Sequence, residues 1–296
     1  MTSPFVTARQ LAADLASDTP PAVLDASLLL HPASFDGDYR LDGKYDDWLA
    51  GHIPGSQYVD VAVDFSDTDT DTDTGASLHY THPTPQAIAD RLAELGVGPT
   101  DAVVVYDSTG GLFAARLWYL LTWIGVDARV LDGGFGAWEA AGLPVETGES
   151  RAAASVPSWP AAAVREAWVS KDELVQRSET DARPLVCGLP AGSFDGSHPS
   201  RYARRGHIPG SVNVSSRDLF AADGTVRGES ELREAYVAEG VTGEEEVLLY
   251  CGGGISAAAN AITLVELGVT AVRIYDGSLE EWAADPSLPL VTTPVD

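Results

Sequence analysis

The sequence predicts an α/β protein of two tandem domains, each a central parallel sheet with helices on both faces. Three observations carry that expectation: an internal repeat, strands alternating with helices inside each copy, and a buried strand at the same place in both. GHIPGS occurs at Gly51 to Ser56 and again at Gly206 to Ser211. LGVGPTDAVVVYD, ending at Asp107, parallels EGVTGEEEVLLYC, ending at Cys251, and LDGGFGAW, ending at Trp138, parallels YDGSLEEW, ending at Trp282. The GHIPGS copies lie farther apart than the later pairs, so the first copy holds extra residues between GHIPGS and Asp107. The Asp/Thr-rich stretch DFSDTDTDTDTGASLHYTH accounts for them and is expected to be a solvated surface loop, since its composition cannot pack a core.

In the first copy TARQLAADLAS reads as a helix, AVLDAS as a strand, and TPQAIADRLAELG as a helix with a Thr cap and a terminal Gly. AVVVYD then reads as a buried strand, LFAARLWYLLTWIG as a helix apolar on most sides, ARVLD as a strand and GFGAWEAAG as a short helix. SKDELVQRS, PLVCG, SELREAYVAEG, EVLLYC, SAAANAITLVELG, AVRIYD and SLEEWAAD repeat the order. Strands alternating with helices at this spacing imply parallel sheets. The domains are expected at 1–145 and 166–296, joined by a linker at 146–165 inside the Ala/Pro/Ser-rich ETGESRAAASVPSWPAAAVRE. Trp138 and Trp282 are expected in the cores and at the domain interface.

The 18 basic against 44 acidic residues, a formal charge of −26, argue against nucleic-acid or anionic-membrane partners. Only Lys44 and Lys171 are lysines, a composition suited to a high-salt cytoplasm or an acidic, Arg-preferring proteome. Such a field repels small anions at long range, so an anion site must be built from local donors. Without an apolar run of membrane-spanning length or a signal-like start, the chain is expected to be soluble and cytoplasmic. Cys187 and Cys251 are too few for a disulfide framework and are judged for reactivity instead.

Ligands of open α/β sheets bind beyond the carboxyl ends of the strands. In the second copy the central strand ends at Cys251, followed by Gly252, Gly253, Gly254, Ile255 and Ser256, with a helical pattern from Ala257. Three glycines let successive backbone N–H groups turn around one point, an anion-binding nest against a helix N-terminus. Such donors favour a thiolate and would hold the outer sulfur of a persulfide. The plain alternative is a buried strand cysteine followed by a turn.

These repeated motifs, with VVVYDS set against LLYCGGGISA, resemble the tandem rhodanese family over roughly Thr7 to Pro289. The resemblance implies two rhodanese-like domains, an inactive first and a catalytic second. It also implies a double displacement in which Cys251 takes sulfane sulfur from a small anionic donor, thiosulfate or 3-mercaptopyruvate. The sulfur then passes to a thiophilic acceptor: cyanide, a thiol or a protein. No cofactor or metal is expected. Asp107 at the equivalent place in the first copy can neither form a persulfide nor welcome an anion.

The chain departs from the family pattern at the donor end. Family loops opening Cys-Arg-Lys-Gly are associated with thiosulfate and those opening Cys-Gly-Ser-Gly with mercaptopyruvate, whereas this loop reads Cys-Gly-Gly-Gly. Leu189 stands where many members carry a donor-binding Arg. The replacement expected is one of Arg201, Arg204 and Arg205, with Arg204 leading. His207 and His52 are expected to tie their loops to the sheets, and His52 is also a donor-side candidate at the domain interface. Cys187 reads as a small buried hydrophobe or, alternatively, a resolving thiol. A cysteine phosphatase or arsenate reductase would need an Arg where Ala257 stands. A non-catalytic binding or sulfur-sensing module is the remaining alternative.

Overall fold

The computed structural model describes residues 3–67, 78–151, 153–178 and 180–292. The Asp/Thr run at 68–77 lies outside the described residues. Two five-stranded parallel sheets share one topology. The first holds β1 (Phe5–Val6), β2 (Ala22–Asp25), β5 (Gln57–Tyr58), β6 (Val103–Tyr106) and β7 (Ala128–Leu131) in the order β1-β7-β6-β2-β5. The second holds β8 (Trp168–Val169), β9 (Leu185–Cys187), β10 (Ser211–Asn213), β11 (Val247–Tyr250) and β12 (Val272–Tyr275) in the order β8-β12-β11-β9-β10. A small antiparallel pair, β3 (Leu28–Leu30) with β4 (Leu41–Gly43), stands apart from both.

The central strands β6 and β11 are buried throughout, as parallel strands covered on both faces must be. Alternate residues serve opposite faces. Val104 and Tyr106 pack with Leu11 and Trp138 on one side of the first sheet. Val103 and Val105 lie in the larger core with Ile88, Leu92 and Leu117. The covering helices of the first domain are α1 (Ala8–Leu15), α2 (Tyr45–Ala50), α3 (Val61–Asp64), α4 (Pro85–Glu94), α5 (Leu112–Trp123) and α6 (Gly134–Ala140). Those of the second are α7 (Lys171–Val175), α8 (Ala191–Phe194), α9 (Glu229–Ala238), α10 (Ile255–Glu266) and α11 (Ser278–Ala284). The expected starts are visible in the caps: Thr84 Oγ1 accepts from Ala87 N–H ahead of Pro85, and Ser170 Oγ accepts from Glu173 N–H. No helix among the described residues is long and apolar enough to cross a membrane.

Residues 147–167 contain no helix or strand in their described part and run along the first domain. Val156 N–H donates to Ala93 O at 2.9 Å and Val164 N–H to Trp123 O at 3.0 Å. The reading of the whole Asp/Thr-rich stretch as solvated fails at both ends: Phe65, Leu78 and Tyr80 are buried. Residues 79–82 dock on the second domain, where His82 N–H donates to Asp276 Oδ2 at 2.7 Å and His79 N–H to Glu280 Oε2 at 2.9 Å.

The domains join through α5 and α10, whose almost uniformly apolar surfaces have no other way of leaving water. Their side chains belong to one continuous core. Inside it lies Arg116, fully buried, with Nη1 donating to Asp276 Oδ1 at 2.7 Å, Nη2 to Tyr80 O, and the guanidinium 5.1 Å over the Trp168 ring. Removing one partner of a buried pair leaves the other charge desolvated and uncompensated. Arg116→Met should therefore lower unfolding stability by about 3 to 5 kcal/mol in urea titration; a loss no larger than that of an exposed pair would show that Asp276 is served by its other donors.

Candidate active site

Cys251 follows β11, the middle strand of the second sheet, and is almost fully buried with its sulfur reduced. The chain then passes through Gly252, Gly253 and Gly254 into α10, with Gly254 at φ 81° as the N-cap. Gly252 and Gly254 leave no room for a side chain, and Gly253 leaves little. A Cβ on Gly252 would lie 1.5 Å from the Tyr202 hydroxyl, and one on Gly253 would lie 3.2 Å from the Tyr80 ring and 3.5 Å from Glu280 Oε2. At Gly254 it would meet Asp276 Oδ1 at 2.8 Å and Arg116 Nη1 at 3.0 Å. The cation that the loop sequence lacks is thus brought beside it by a helix of the first domain.

The loop is held from behind by the start of α11. Leu279 N–H donates to Cys251 O at 3.1 Å and Glu280 N–H to Gly252 O at 2.9 Å. Cys251 N–H donates to Ser278 Oγ at 3.1 Å, and that hydroxyl donates to Tyr275 O at 2.8 Å. With no cis peptide among the described residues, each N–H points opposite to the C=O of its own peptide plane. Fixing the carbonyls of Cys251 and Gly252 against α11 therefore turns the N–H groups of Gly252 and Gly253 the other way. Ser278 occupies this corner at φ 49°, a conformation costly for a residue with a side chain.

The first domain carries the same loop with an anion of its own. Asp107 Oδ1 accepts from Thr109 N–H at 2.9 Å and Gly111 N–H at 2.8 Å, and Oδ2 accepts from Ala114 N–H at 3.0 Å. Phe135 N–H holds Asp107 O at 3.2 Å, as Leu279 holds Cys251 O. Gly134, at φ 55°, stands where the second domain has Ser278. The loop Ser108–Gly111 is one residue longer than Gly252–Gly254, so the repeat offset seen in the strands slips by one there. In the first copy the loop amides close around the carboxylate of the strand-ending residue itself.

The donor-side expectations fare unevenly. Arg204 is not available to a ligand: it donates to the carbonyls of Ala283, Leu288, Trp282 and Asp285 and clasps the end of α11. Arg205 pairs with Asp36 across the domains, Nε to Oδ1 at 2.9 Å and Nη2 to Oδ2 at 2.9 Å. Arg201 anchors through Nε and Nη2 to His31 O, and its charge opposes the burial that pushes the Tyr80 phenol up to about 12. It is the one of the three beside the tyrosines that roof the loop. His52 is not at the interface: it is fully buried, stacked on Trp48 at 4.2 Å, with Nδ1 bonded to Trp48 O and Nε2 2.8 Å from Ser150 Oγ. His207 is its counterpart, stacked on Phe194 with Nδ1 bonded to Phe194 O. Both histidines tie their loops to the end of their own domain through backbone bridges, to Glu146 and Val291 respectively. Cys187 ends β9 beside Tyr250, and burial pushes its thiol up to about 12. A neutral, enclosed thiol is no resolving nucleophile.

Four residues at the site escape sequence reasoning: His79, Tyr80, Arg116 and Tyr202. His79 Nδ1 donates to Glu280 Oε1 at 2.5 Å, which raises the histidine above its ordinary value and prolongs its positive charge toward neutral pH. Its ring stacks on Tyr39 at 4.1 Å. A lone arginine in an apolar helix was the available signal for Arg116, and the two histidines around Tyr80 for the docking segment.

The family model for the rhodanese-like domain matches residues 10–141 and 171–285. The chain is 32% identical over 250 residues to 3-mercaptopyruvate sulfurtransferase of Escherichia coli K12, covering 82% of this chain and 84% of that protein. It is 29% identical over 289 residues to thiosulfate/3-mercaptopyruvate sulfurtransferase 2 of Arabidopsis thaliana, covering 90% and 82%. The solved 3-mercaptopyruvate sulfurtransferase of Leishmania major superposes with a TM-score of 0.78 at 23% identity, covering 95% of this chain and 74% of the other.

In the first sheet Asp25 holds the place of Cys187, next to Asp107. Burial, with the Asp107 charge adding to it, pushes the Asp25 carboxyl up to about 6 against hydrogen bonds from Ser27 and Tyr106. Protonated Asp25 therefore favours the fold below its ordinary value of 3.8, and that contribution is lost as the pH rises through about 6. Asp25→Asn should raise stability by about 2 to 3 kcal/mol at pH 8, a gain that shrinks as the pH falls toward 4. Urea midpoints over that range check it, and a pH-independent gain would contradict it.

Proposed function

Because the chain belongs to the rhodanese-like family, we propose that it is a sulfurtransferase that carries sulfane sulfur as a persulfide on Cys251. One observation carries this reading. Where the first domain has a loop whose three N–H groups satisfy the Asp107 carboxylate, the second has a loop one residue shorter, all glycine, between a cysteine and the start of α10. Amides that hold a carboxylate will hold a thiolate and the outer sulfur of a persulfide.

In the first half-reaction the Cys251 thiolate attacks the sulfane sulfur of a small anionic donor. With thiosulfate the S–S bond breaks and sulfite leaves with the electron pair. With 3-mercaptopyruvate the C–S bond breaks, the pair goes to carbon as the pyruvate enolate, and the proton from the donor thiol ends on that carbon. In the second half-reaction cyanide, a thiol or a protein thiolate attacks the outer sulfur, and Cys251 leaves as thiolate. Both need a reduced cysteine, which fits a reducing compartment such as the cytoplasm. Incubation with either donor should add one sulfur atom, about 32 Da, to the intact protein. Cys251→Ser should abolish that gain and all turnover while the fold is retained. A wild-type chain that takes up no sulfur would instead be a binding or sensing module, and a Cys251→Ser variant that still turns over would move the chemistry elsewhere.

At the mouth of the site two cations serve the donor's carboxylate or sulfonate: Arg201, and His79 when protonated. A charge-assisted hydrogen bond contributes about 1.5 to 3 kcal/mol, so Arg201→Ala should lower kcat/KM for the donor by roughly 10- to 150-fold. Arg204→Ala should show mainly as lost stability, because its guanidinium serves carbonyls. Steady-state kinetics and urea unfolding of the two variants separate the roles; the reverse pattern would return the donor anchor to Arg204.

A further inference from the structure

Three phenols crowd the catalytic loop, Tyr39 and Tyr80 from the first domain and Tyr202 from the second. Tyr39 donates its hydroxyl proton to Tyr80 at 2.8 Å. The Tyr202 hydroxyl makes no hydrogen bond among the described residues, although its ring is half-buried. The hydroxyl is not among the fully enclosed polar atoms, so it is open to water or to a group carried at the loop. Its oxygen fills the space a side chain on Gly252 would take, 1.5 Å from where that Cβ would stand, over the residue that follows Cys251. Burial first, then the negative charge of Cys251 and Glu280, pushes the phenol well above its ordinary value, so it remains a proton donor.

At the silent site the Phe220 ring of the second domain comes within 3.7 Å of where a Cβ on Gly111 would stand, as Tyr80 of the first domain comes to Gly253. Asp107 has no need of a phenol, since three amides already serve it. The Tyr202 phenol stands over the loop of the copy that has a sulfur to stabilise.

We propose that Tyr202 is a catalytic residue whose O–H donates a hydrogen bond to the Cys251 sulfur as it leaves as a thiolate in the second half-reaction. This rests on the persulfide reading above. When cyanide attacks the outer sulfur, a C–S bond forms and the S–S bond breaks. Its electron pair returns to Cys251 Sγ, thiocyanate departs, and Tyr202 keeps its proton throughout. The thiolate is the product of discharge but the reactant of loading. Losing the hydrogen bond therefore slows discharge without slowing loading, a split that mere loosening of the site would not produce.

The test compares wild type with Tyr202→Phe, which keeps the ring. Each is loaded with thiosulfate or 3-mercaptopyruvate and freed of donor, and the persulfide is confirmed by intact mass. It is then mixed with cyanide in a single turnover read as thiocyanate. Tyr202→Phe should load at least as fast as wild type, keep its thermal midpoint, and discharge about 10- to 100-fold more slowly. Equal discharge rates, or loading and discharge slowed together, would overturn the role of Tyr202 and leave the persulfide standing. Failure of the wild type to gain sulfur would overturn both.

Discussion

Arg116 is the contact on which the rest of the site depends. It sits on a helix of the domain that has no reactive residue, yet its guanidinium reaches Asp276, the Tyr80 carbonyl and the Trp168 ring at once. Asp276 opens the turn from β12 into α11, the helix whose first amides hold the loop carbonyls. A charge buried to this degree is tolerable only when several partners replace its water, and those partners set how closely the two domains approach. That approach fixes the space at Gly253 and Gly254, and so the conformation of the loop around Cys251.

The two copies differ by few groups at equivalent places, and each difference has a physical reason. Asp25 and Asp107 in the first sheet correspond to Cys187 and Cys251 in the second. A carboxylate brings acceptor oxygens that reach the loop amides, closing the nest from within. A cysteine brings one polarisable sulfur and leaves the amides to whatever that sulfur carries. Gly134 and Ser278 share a left-handed conformation, but only the serine offers a hydroxyl to the amide of the strand-ending residue. The serine bears the backbone strain in the copy where the loop must be held most tightly.

Much of this was legible in the sequence. The GHIPGS pair, the apolar runs of β6 and β11 and the capped helices depend on local pattern, and they appear where pattern puts them. Strands β1, β5, β8 and β10, of two or three residues, are held by register with a neighbour rather than by propensity, so nothing local announced them. Cys251 and its glycines were readable because strand, loop and helix are consecutive. Arg204 misled because proximity to GHIPGS says nothing about where a guanidinium finds its acceptors. Arg116, Tyr80 and His79 were invisible as site residues because only the packing of one domain against the other brings them to the loop. The acidic and low-complexity stretch before His79 concealed a docking segment by looking uniformly solvated.

A duplicated domain that loses its reactive residue has no chemistry left for selection to preserve, and drift would be expected to erode it. Here the segment 79–82 crosses to the other half and lays Tyr80 on the loop there. The first half thus forms a wall beside its sibling's loop, and on the proposed function a change in that wall would be felt at Cys251. Descent from such a protein to a single-domain enzyme would require the surviving half to grow a replacement for that wall, whereas loss of Asp107 alone would leave the wall intact.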